Sequence, residues 1–464
     1  MFSKDLKVTE SPIPGLFVID LPVHADSRGW FKENYQAEKL AAAGLPHFRP
    51  VQNNISFNGE VGTIRGFHAE PWEKYVSVAT GKVFAAWVDL REGKNFGQVF
   101  SIEIDPSIAV FVPSGVANAF QALEKNTTYT YLVSKHWSAD AKYSFINLAD
   151  ASLGINWPIS LEDSGISDKD KKHPLLKEVE PVKSEKYLVI GSSGQLAKSL
   201  RKSIPQATFL SRRDYDLSDI AFDLPSDFGS YKWVINAAAF TDVDGAESAI
   251  GRKSAWSTNV HGLASLVAAC KREDVGLVHV SSDYVFDGES NTAYLEEDKL
   301  CPLGVYGQTK AAGEVLVATL DRHQIIRTSW VVGEGKNFVS TMKRLASENK
   351  SVSVVDDQIG RLTFADDLAN AIKDLLQLDF IGVANVSNSG VATSWYQIAK
   401  RIYENQGRDS GLVNPVSTPE YLEGKPSVSP RPKFSVLSLA KLESLGISMP
   451  NWEASLSRFL GEEQ

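Results

Sequence analysis

Near residue 186 the apolar pattern of the chain changes, and with it the kind of fold each side can adopt. Before this point the apolar runs are short: VFAAWVDL, QVFSIEI, IAVFVP and TYTYLV are rich in β-branched and aromatic residues and are punctuated by Gly, Asn, Asp and Pro. Closely spaced runs of this kind predict an all-β barrel or jelly roll. The one helix expected there is around Ala37–Ala43. From Lys186 onward strands alternate with helices, beginning with the buried strand YLVIG, a glycine turn GSSGQLA and a helix through Ile204. That order predicts a parallel α/β sheet. At 464 residues the chain has room for two or three domains of about 150 residues. The expected division is 1–180 and 181–464, with the charged segment Asp168–Lys186, broken by Pro174 and Pro181, as the close of the first domain and a short linker.

The second region carries the sharper motifs. Gly191, Gly194 and Ala197 give a GxxGxxA turn between strand and helix. Glycines there let the backbone approach a pyrophosphate at a helix N-terminus, so Gly191, Gly194, Gln195 and Leu196 are the expected phosphate-facing turn of a dinucleotide site. After the next strand, Thr208–Leu210, stand Ser211, Arg212 and Arg213, where an acidic residue would bond a ribose hydroxyl. Arginine there suits a 2′-phosphate, so NADPH is the expected cofactor, with NADH also open. Asp216 and Leu217 are placed to flank the adenine; the small residues Ala237 and Ala238 of WVINAAA leave room for a cofactor, and Asn259 lies in the helix that follows.

The stretch Val280–Lys310, VSSDYVFDG then CPLGVYGQTK, places Ser281 and Ser282 at a strand end and Tyr306 and Lys310 four apart at a helix start. Residues so spaced share one helical face. A lysine ammonium beside a phenol is expected to draw the phenol below its usual pKa of about 10. A serine hydroxyl facing the same point can hold a carbonyl oxygen. This set can move a proton at a C–O centre while a hydride moves at the carbon.

In the first region polar residues cluster at DSRGWFKE, Gln52–Asn54 and RGFHAEPWEK. His68 reads as a satisfied structural histidine, a metal ligand or an acid/base group. A metal needs two or three further ligands, and PSGVANAF offers Asn118 and Ala119 where another histidine would stand, so no metal is expected. Spacing alone brings no orienting partner to His68.

The net charge of −9 argues against a general nucleic-acid surface. Cys270 and Cys301 are the only cysteines, which fits a reducing cytoplasm. The N-terminal MFSKDLKVTESPIPG lacks an apolar signal core, and runs such as Leu263–Cys270 are too short to span a bilayer.

GTIRGFHAE, KVFAAWVDLREGKNFG, FVPSGVANAF, LGINWP and ISDKDKKHPLL, in this order over residues 10–176, resemble the dTDP-4-dehydrorhamnose 3,5-epimerases. The resemblance implies a metal-free cupin jelly roll, a homodimer through that domain, and proton transfer at C3 and C5 of a dTDP-linked 4-keto-6-deoxyhexose. It places the base at His68, its paired carboxylate at Asp170, the tyrosine acid at Tyr131 and the sugar-side lysine at Lys74. Arg65 precedes the base, and Arg28, Glu33, Gln52 and Asn54 match positions that contact nucleotide and phosphates. Two departures are Asn118, in place of a histidine, and His136–Trp137, in place of a tyrosine pair.

GSSGQL, NAAAFTDVDGAES, VSSDYVFDG, YGQTKAAGE, RTSWVVG and DQIGRLT, over residues 186–460, resemble the dTDP-4-dehydrorhamnose reductases, which are extended short-chain dehydrogenases with a Rossmann domain and a small C-terminal substrate lobe. The resemblance assigns catalysis to Ser282, Tyr306 and Lys310 and places Asp283, Tyr284 and Trp330 near the sugar. Ser282 replaces the usual threonine, and Arg361–Leu362 replaces a small residue and proline. A magnesium carboxylate found in some members would fall near Ser199, so none is expected here. The combined expectation is a fusion that epimerises and then reduces a dTDP-4-keto sugar to dTDP-L-rhamnose. Another 6-deoxyhexose product and a non-catalytic nucleotide sensor are the alternatives.

Overall fold

The computed structural model describes residues 4–138, 141–183, 185–219, 223–424 and 428–461. The chain forms two compact units, Met1–Ser184 and Glu185–Gln464.

The first unit is a sandwich of two antiparallel sheets. The six-stranded sheet runs Lys7–Glu10, Phe17–Asp20, Ile108–Val112, Lys74–Thr80, Thr127–Val133, Gln52–Asn58. The five-stranded sheet runs Ser144–Phe145, Ile64–Ala69, Val116–Ala122, Val83–Asp89, Val99–Ile104. Sequence neighbours are repeatedly separated in space, as a jelly roll requires. Between the sheets Val76, Val78, Ala85, Trp87, Val110, Phe120 and Tyr129 form a continuous apolar core. Strand periodicity sends alternate side chains of Lys74–Thr80 and Thr127–Val133 inward, so both strands can deliver polar groups to the cavity between the sheets. The expected helix is present at Ala37–Ala42.

The charged segment after Asp168 is less of a linker than its composition implies. It makes short 3-10 turns at Asp170–Lys172 and Leu176–Glu178. Val182 then pairs with Arg91, its amide donating to the Leu90 carbonyl at 2.7 Å. Backbone pairing holds this stretch to the first unit, and it delivers Asp170 to the cavity.

The second unit is built on a six-stranded, all-parallel sheet in the order Thr208–Leu210, Tyr187–Ile190, Trp233–Asn236, Gly276–Ser282, His323–Thr328, Gly382–Asn385. Strand order reverses at Tyr187–Ile190, which opens a crevice beyond the carboxyl ends of that strand and Trp233–Asn236. Separate apolar clusters cover the sheet: Leu200, Leu368, Ile372 and Leu375 belong to one, and Leu263, Leu266, Val267 and Val317 to another. A smaller lobe is packed around Val339, Ile398, Tyr403 and Leu456.

Candidate active sites

The cavity of the first unit measures about 680 Å³ and is lined by Arg65, His68, Glu70, Lys74, Tyr131 and Asp170, among others. His68 Nε2 lies 3.1 Å from Asp170 Oδ1, so a turn far along the chain supplies the orienting partner that spacing could not locate. Burial raises the Asp170 carboxyl, but the hydrogen bond and charge of His68 outweigh it and the group stays below its usual range. Tyr131 is raised, first by burial, with Arg65 opposing. Its ring lies 5.7 Å from Lys74 Nζ.

Lys74 is 4% exposed. Its ammonium donates to Asn118 Oδ1 at 2.9 Å and is ion-paired with Glu70. Burial alone draws Lys74 down to about 7; the Glu70 carboxylate acts in the opposite sense, favouring the charged form. Asn118, where the motif departs, therefore serves Lys74.

Two contributors were not foreseen. Glu70 gave no sequence signal beyond standing four residues before Lys74. His173 is buried, stacks on Phe145 at 4.7 Å and places Nε2 3.7 Å from Asp170 Oδ1. His68, Asp170 and His173 form the one group of potential metal-ligating side chains found among the described residues. Burial lowers His173, with Asp170 opposing.

Four expected contacts lie outside this cavity. Arg28 is bonded to Asp26 in the hairpin His24–Phe31, and Glu33 to Lys39. Gln52 donates to Asn54 at 2.8 Å on the edge strand, where Ile55 and Phe57 are the neighbours that reach the cavity mouth. The resemblance placed these polar groups at the nucleotide; in the fold Gln52 and Asn54 share the half-buried face of the edge strand, and Ile55 and Phe57 stand on its exposed face.

The second unit's cavity, about 1280 Å³, occupies the crevice at the strand-order reversal. Gly191, Gly194, Gln195, Leu196, Arg212, Asp216, Leu217, Ala237 and Ala238 line one part. Gly191 has φ +92, and a Cβ there would meet the Ala238 amide nitrogen at 2.7 Å, so the turn admits only glycine. Gly194 caps the helix Gln195–Ser203 without a side-chain bond, leaving backbone donors at the cavity edge. Gln195 Oε1 is engaged by the Gly333 amide at 2.7 Å and ties the glycine turn to the segment beyond Trp330. Arg212 lines the cavity and bonds Asp216, whereas Arg213 is exposed and outside the lining.

Asn259 corrects an expectation. It is buried behind the wall, accepting from the Phe240 amide at 2.8 Å and donating to Thr309 Oγ1 at 3.0 Å. It braces the loop after WVINAAA against the helix Val305–Val317. Ser281, too, turns away from the carbonyl position and donates to Glu314, which is paired with buried Arg327.

Ser282, Asp283, Tyr284, Tyr306, Lys310 and Trp330 converge on the remaining wall. Tyr306 and Lys310 lie in the helix Val305–Val317, as the spacing required. The expected depression of the Tyr306 pKa does not hold: burial and the Asp283 carboxylate push it up to about 12, against a hydrogen bond with Ser282. Burial draws Lys310 down to about 8, with Glu314 opposing, so the lysine is a weak source of field for the phenol. Asp283 is 1% exposed, and burial lifts it to about 6. Trp330, at φ +46, stacks on Trp395 at 3.7 Å. Trp395, also in the lining, carried no motif; the lobe fold alone brings it there. Gly360 passes over Trp330 so closely that a Cβ would sit 2.6 Å from its ring. The neighbouring departures are structural, since buried Arg361 donates to the Leu437 carbonyl and Leu362 is in the lobe core.

Residues 185–464 match the family described as RmlD substrate binding domain, and residues 10–178 match the family dTDP-4-dehydrorhamnose 3,5-epimerase. The chain belongs to both families. Its epimerase half is 51% identical over 190 residues to a Protein RmlC homolog of Streptococcus pyogenes, covering 39% of this chain and 95% of that protein. Its reductase half is 36% identical over 293 residues to a dTDP-4-dehydrorhamnose reductase of Aggregatibacter actinomycetemcomitans, covering 58% of this chain and 97% of that protein. In structure the reductase half is similar to the dTDP-4-dehydrorhamnose reductase of Bacillus anthracis in complex with NADP, at 33% identity and a TM-score of 0.54, covering 60% of this chain and 99% of that one. Among the described residues no helix is long and apolar enough to cross a membrane.

Proposed function

We propose that the chain converts dTDP-4-dehydro-6-deoxy-D-glucose to dTDP-L-rhamnose, epimerising C3 and C5 in the first half and reducing the 4-ketone with NADPH in the second. The observation that carries this reading is that two separate cavities each hold a complete proton-transfer set.

In the epimerase half His68, oriented by Asp170, removes the proton alpha to the ketone. Lys74 holds the enolate oxygen, since a fixed cation is worth most where charge develops. Tyr131 returns a proton from the other face. No metal is needed for this chemistry. A second copy of the chain completes the surface: Phe31, Ile55 and Phe57 are 65%, 68% and 63% exposed beside an edge strand. Exposed apolar edges are where chains pair, and the resulting homodimer gives Arg28, Glu33, Gln52 and Asn54 a route to bound nucleotide.

In the reductase half the glycine turn carries the pyrophosphate and Arg212 the 2′-phosphate; the resemblance to a reductase that binds NADP supports that choice. Hydride passes from nicotinamide to C4, and Tyr306 donates its proton to O4, giving the alcohol and NADP+. Ser282 holds the carbonyl oxygen. Asp283, Tyr284 and the Trp330–Trp395 stack face the sugar.

Complementation tests the reading. His68→Ala and Tyr306→Phe chains should each fail to make rhamnose alone and should make it when mixed. Failure of the mixture, with both variants folded, would remove the two-site account.

A further inference from the structure

Behind Lys310 lies a residue with no assigned role. His279 is 1% exposed, in the strand Gly276–Ser282, and does not line the cavity. Its Nε2 is 3.2 Å from Lys310 Nζ, and its Nδ1 is 3.2 Å from Asn236 Nδ2, across the strand pair in register. Lys310 Nζ also donates to the Val280 carbonyl at 2.6 Å.

Donor accounting fixes the protons. Asn236 Oδ1 accepts from the Ala238 amide at 3.1 Å, so its NH₂ must face His279 and donate to Nδ1. A flipped amide would set two donors against each other at Ala238. A flipped imidazole would turn carbon toward both partners. A neutral imidazole carries one N–H, which must therefore sit on Nε2 and point at Lys310. That bond is satisfied when Lys310 is an amine and unsatisfied when it is an ammonium. Burial and Lys310 hold His279 itself well below its usual range, so it stays neutral.

Other charged groups act on this helix. Glu314, one turn beyond Lys310, favours the ammonium but is shared with Arg327 from the next strand and with Ser281. Asp283 lies beside Tyr306, and Glu247 accepts from the Val305 amide at 2.9 Å. Cys270, on a packed helix, is buried and raised to about 12 by burial. Arg252, Lys253 and His261 on the remaining packed helices are exposed.

We propose that His279 is a positioning residue of the reductase: locked as its Nε2–H tautomer by Asn236, it holds Lys310 in place and disfavours its ammonium form. The lysine then exchanges a proton within the working pH range and can recharge Tyr306 after each reduction. This rests on the role given to Lys310 above.

The test is the pH dependence of kcat in the full chain, with separately epimerised substrate and saturating NADPH. Wild type should lose activity as pH rises through about 8, where Lys310 loses its proton. In His279→Gln an amide oxygen can accept from the ammonium, and the limb should move up by about one unit, the size of one hydrogen bond of about 1 kcal/mol. An unmoved limb, even with reduced kcat, overturns the proposal. Asn236→Asp keeps His279 but accepts from Nδ1–H, reversing the tautomer; it should give the same upward shift, and no shift there also overturns the proposal. In 15N-histidine spectra the signal lost in His279→Gln should show a protonated Nε2; a protonated Nδ1 contradicts it. Lys310→Met separates the two readings. Turnover near wild type in that variant removes the role of Lys310, whereas a dead Lys310→Met with an unmoved His279→Gln limb removes only the role of His279.

Discussion

Each half buries one lysine against its cavity, and the two are held in opposite ways. Lys74 is ion-paired with Glu70 and bonded to the Asn118 carbonyl oxygen. Lys310 meets a backbone carbonyl and an imidazole, and the carboxylate that favours its charge, Glu314, is already committed to Arg327. Burial lowers both, but only Lys74 has a direct counter-charge. The difference follows the chemistry. Glu70 beside Lys74 favours the ammonium form that suits an enolate oxygen, whereas a reduction consumes one proton per turnover and is served by a group that gains and loses charge.

The largest effects should separate the halves completely. His68→Ala should stop exchange of the C3 and C5 protons into deuterated water and leave reduction of pre-epimerised substrate intact. Tyr306→Phe should lower NADPH oxidation by about 10²–10⁴-fold, the range for a positioned acid or base, with cofactor binding and proton exchange unchanged. Loss of both activities in either variant would mean that the sites are coupled.

A smaller effect sharpens the contrast between the lysines. Removing the carboxylate in Glu70→Gln takes away the ion pair that favours the Lys74 ammonium, so its pKa falls and the ammonium is lost at lower pH. The alkaline limb of proton exchange should therefore move down, opposite to the shift expected of His279→Gln in the reductase. If both limbs move the same way, the lysines are not held differently.

The smallest effect concerns the cofactor. Arg212→Ala should weaken NADPH by about 10- to 150-fold, as for one charge-assisted hydrogen bond of about 1.5–3 kcal/mol, and leave NADH nearly unchanged. Arg213→Ala should change neither by more than about twofold, since an exposed side chain outside the cavity contributes little. Equal losses of NADPH in the two variants would misplace the 2′-phosphate.

These contrasts also mark what the sequence could carry. The glycine turn, the Tyr306–Lys310 face and the alternating elements were legible because they are local: strand, turn and helix follow from neighbours in the chain. The pairing of His68 with Asp170 was legible only by resemblance, since 102 positions separate them. Glu70, His173, Trp395 and His279 were not read. Trp395 and His279 meet partners distant in sequence, and Glu70 and His173, four and three positions from Lys74 and Asp170, lie outside any α-helix that would make such spacing a rule. Asn259 was misread because a buried asparagine that braces a loop looks, in sequence, like one that faces a ligand. The Tyr306 pKa was misjudged because proximity along a helix does not report desolvation, and burial together with Asp283 outweighs the hydrogen bond with Ser282.

The most direct measurement uses the intact chain in deuterated water. With dTDP-4-dehydro-6-deoxy-D-glucose and NADPH, the account predicts oxidation of one NADPH per sugar and, by NMR, dTDP-L-rhamnose carrying deuterium at C3 and C5. A reduced sugar with protium retained at both carbons, or deuterium exchange with no oxidation of NADPH, would contradict it.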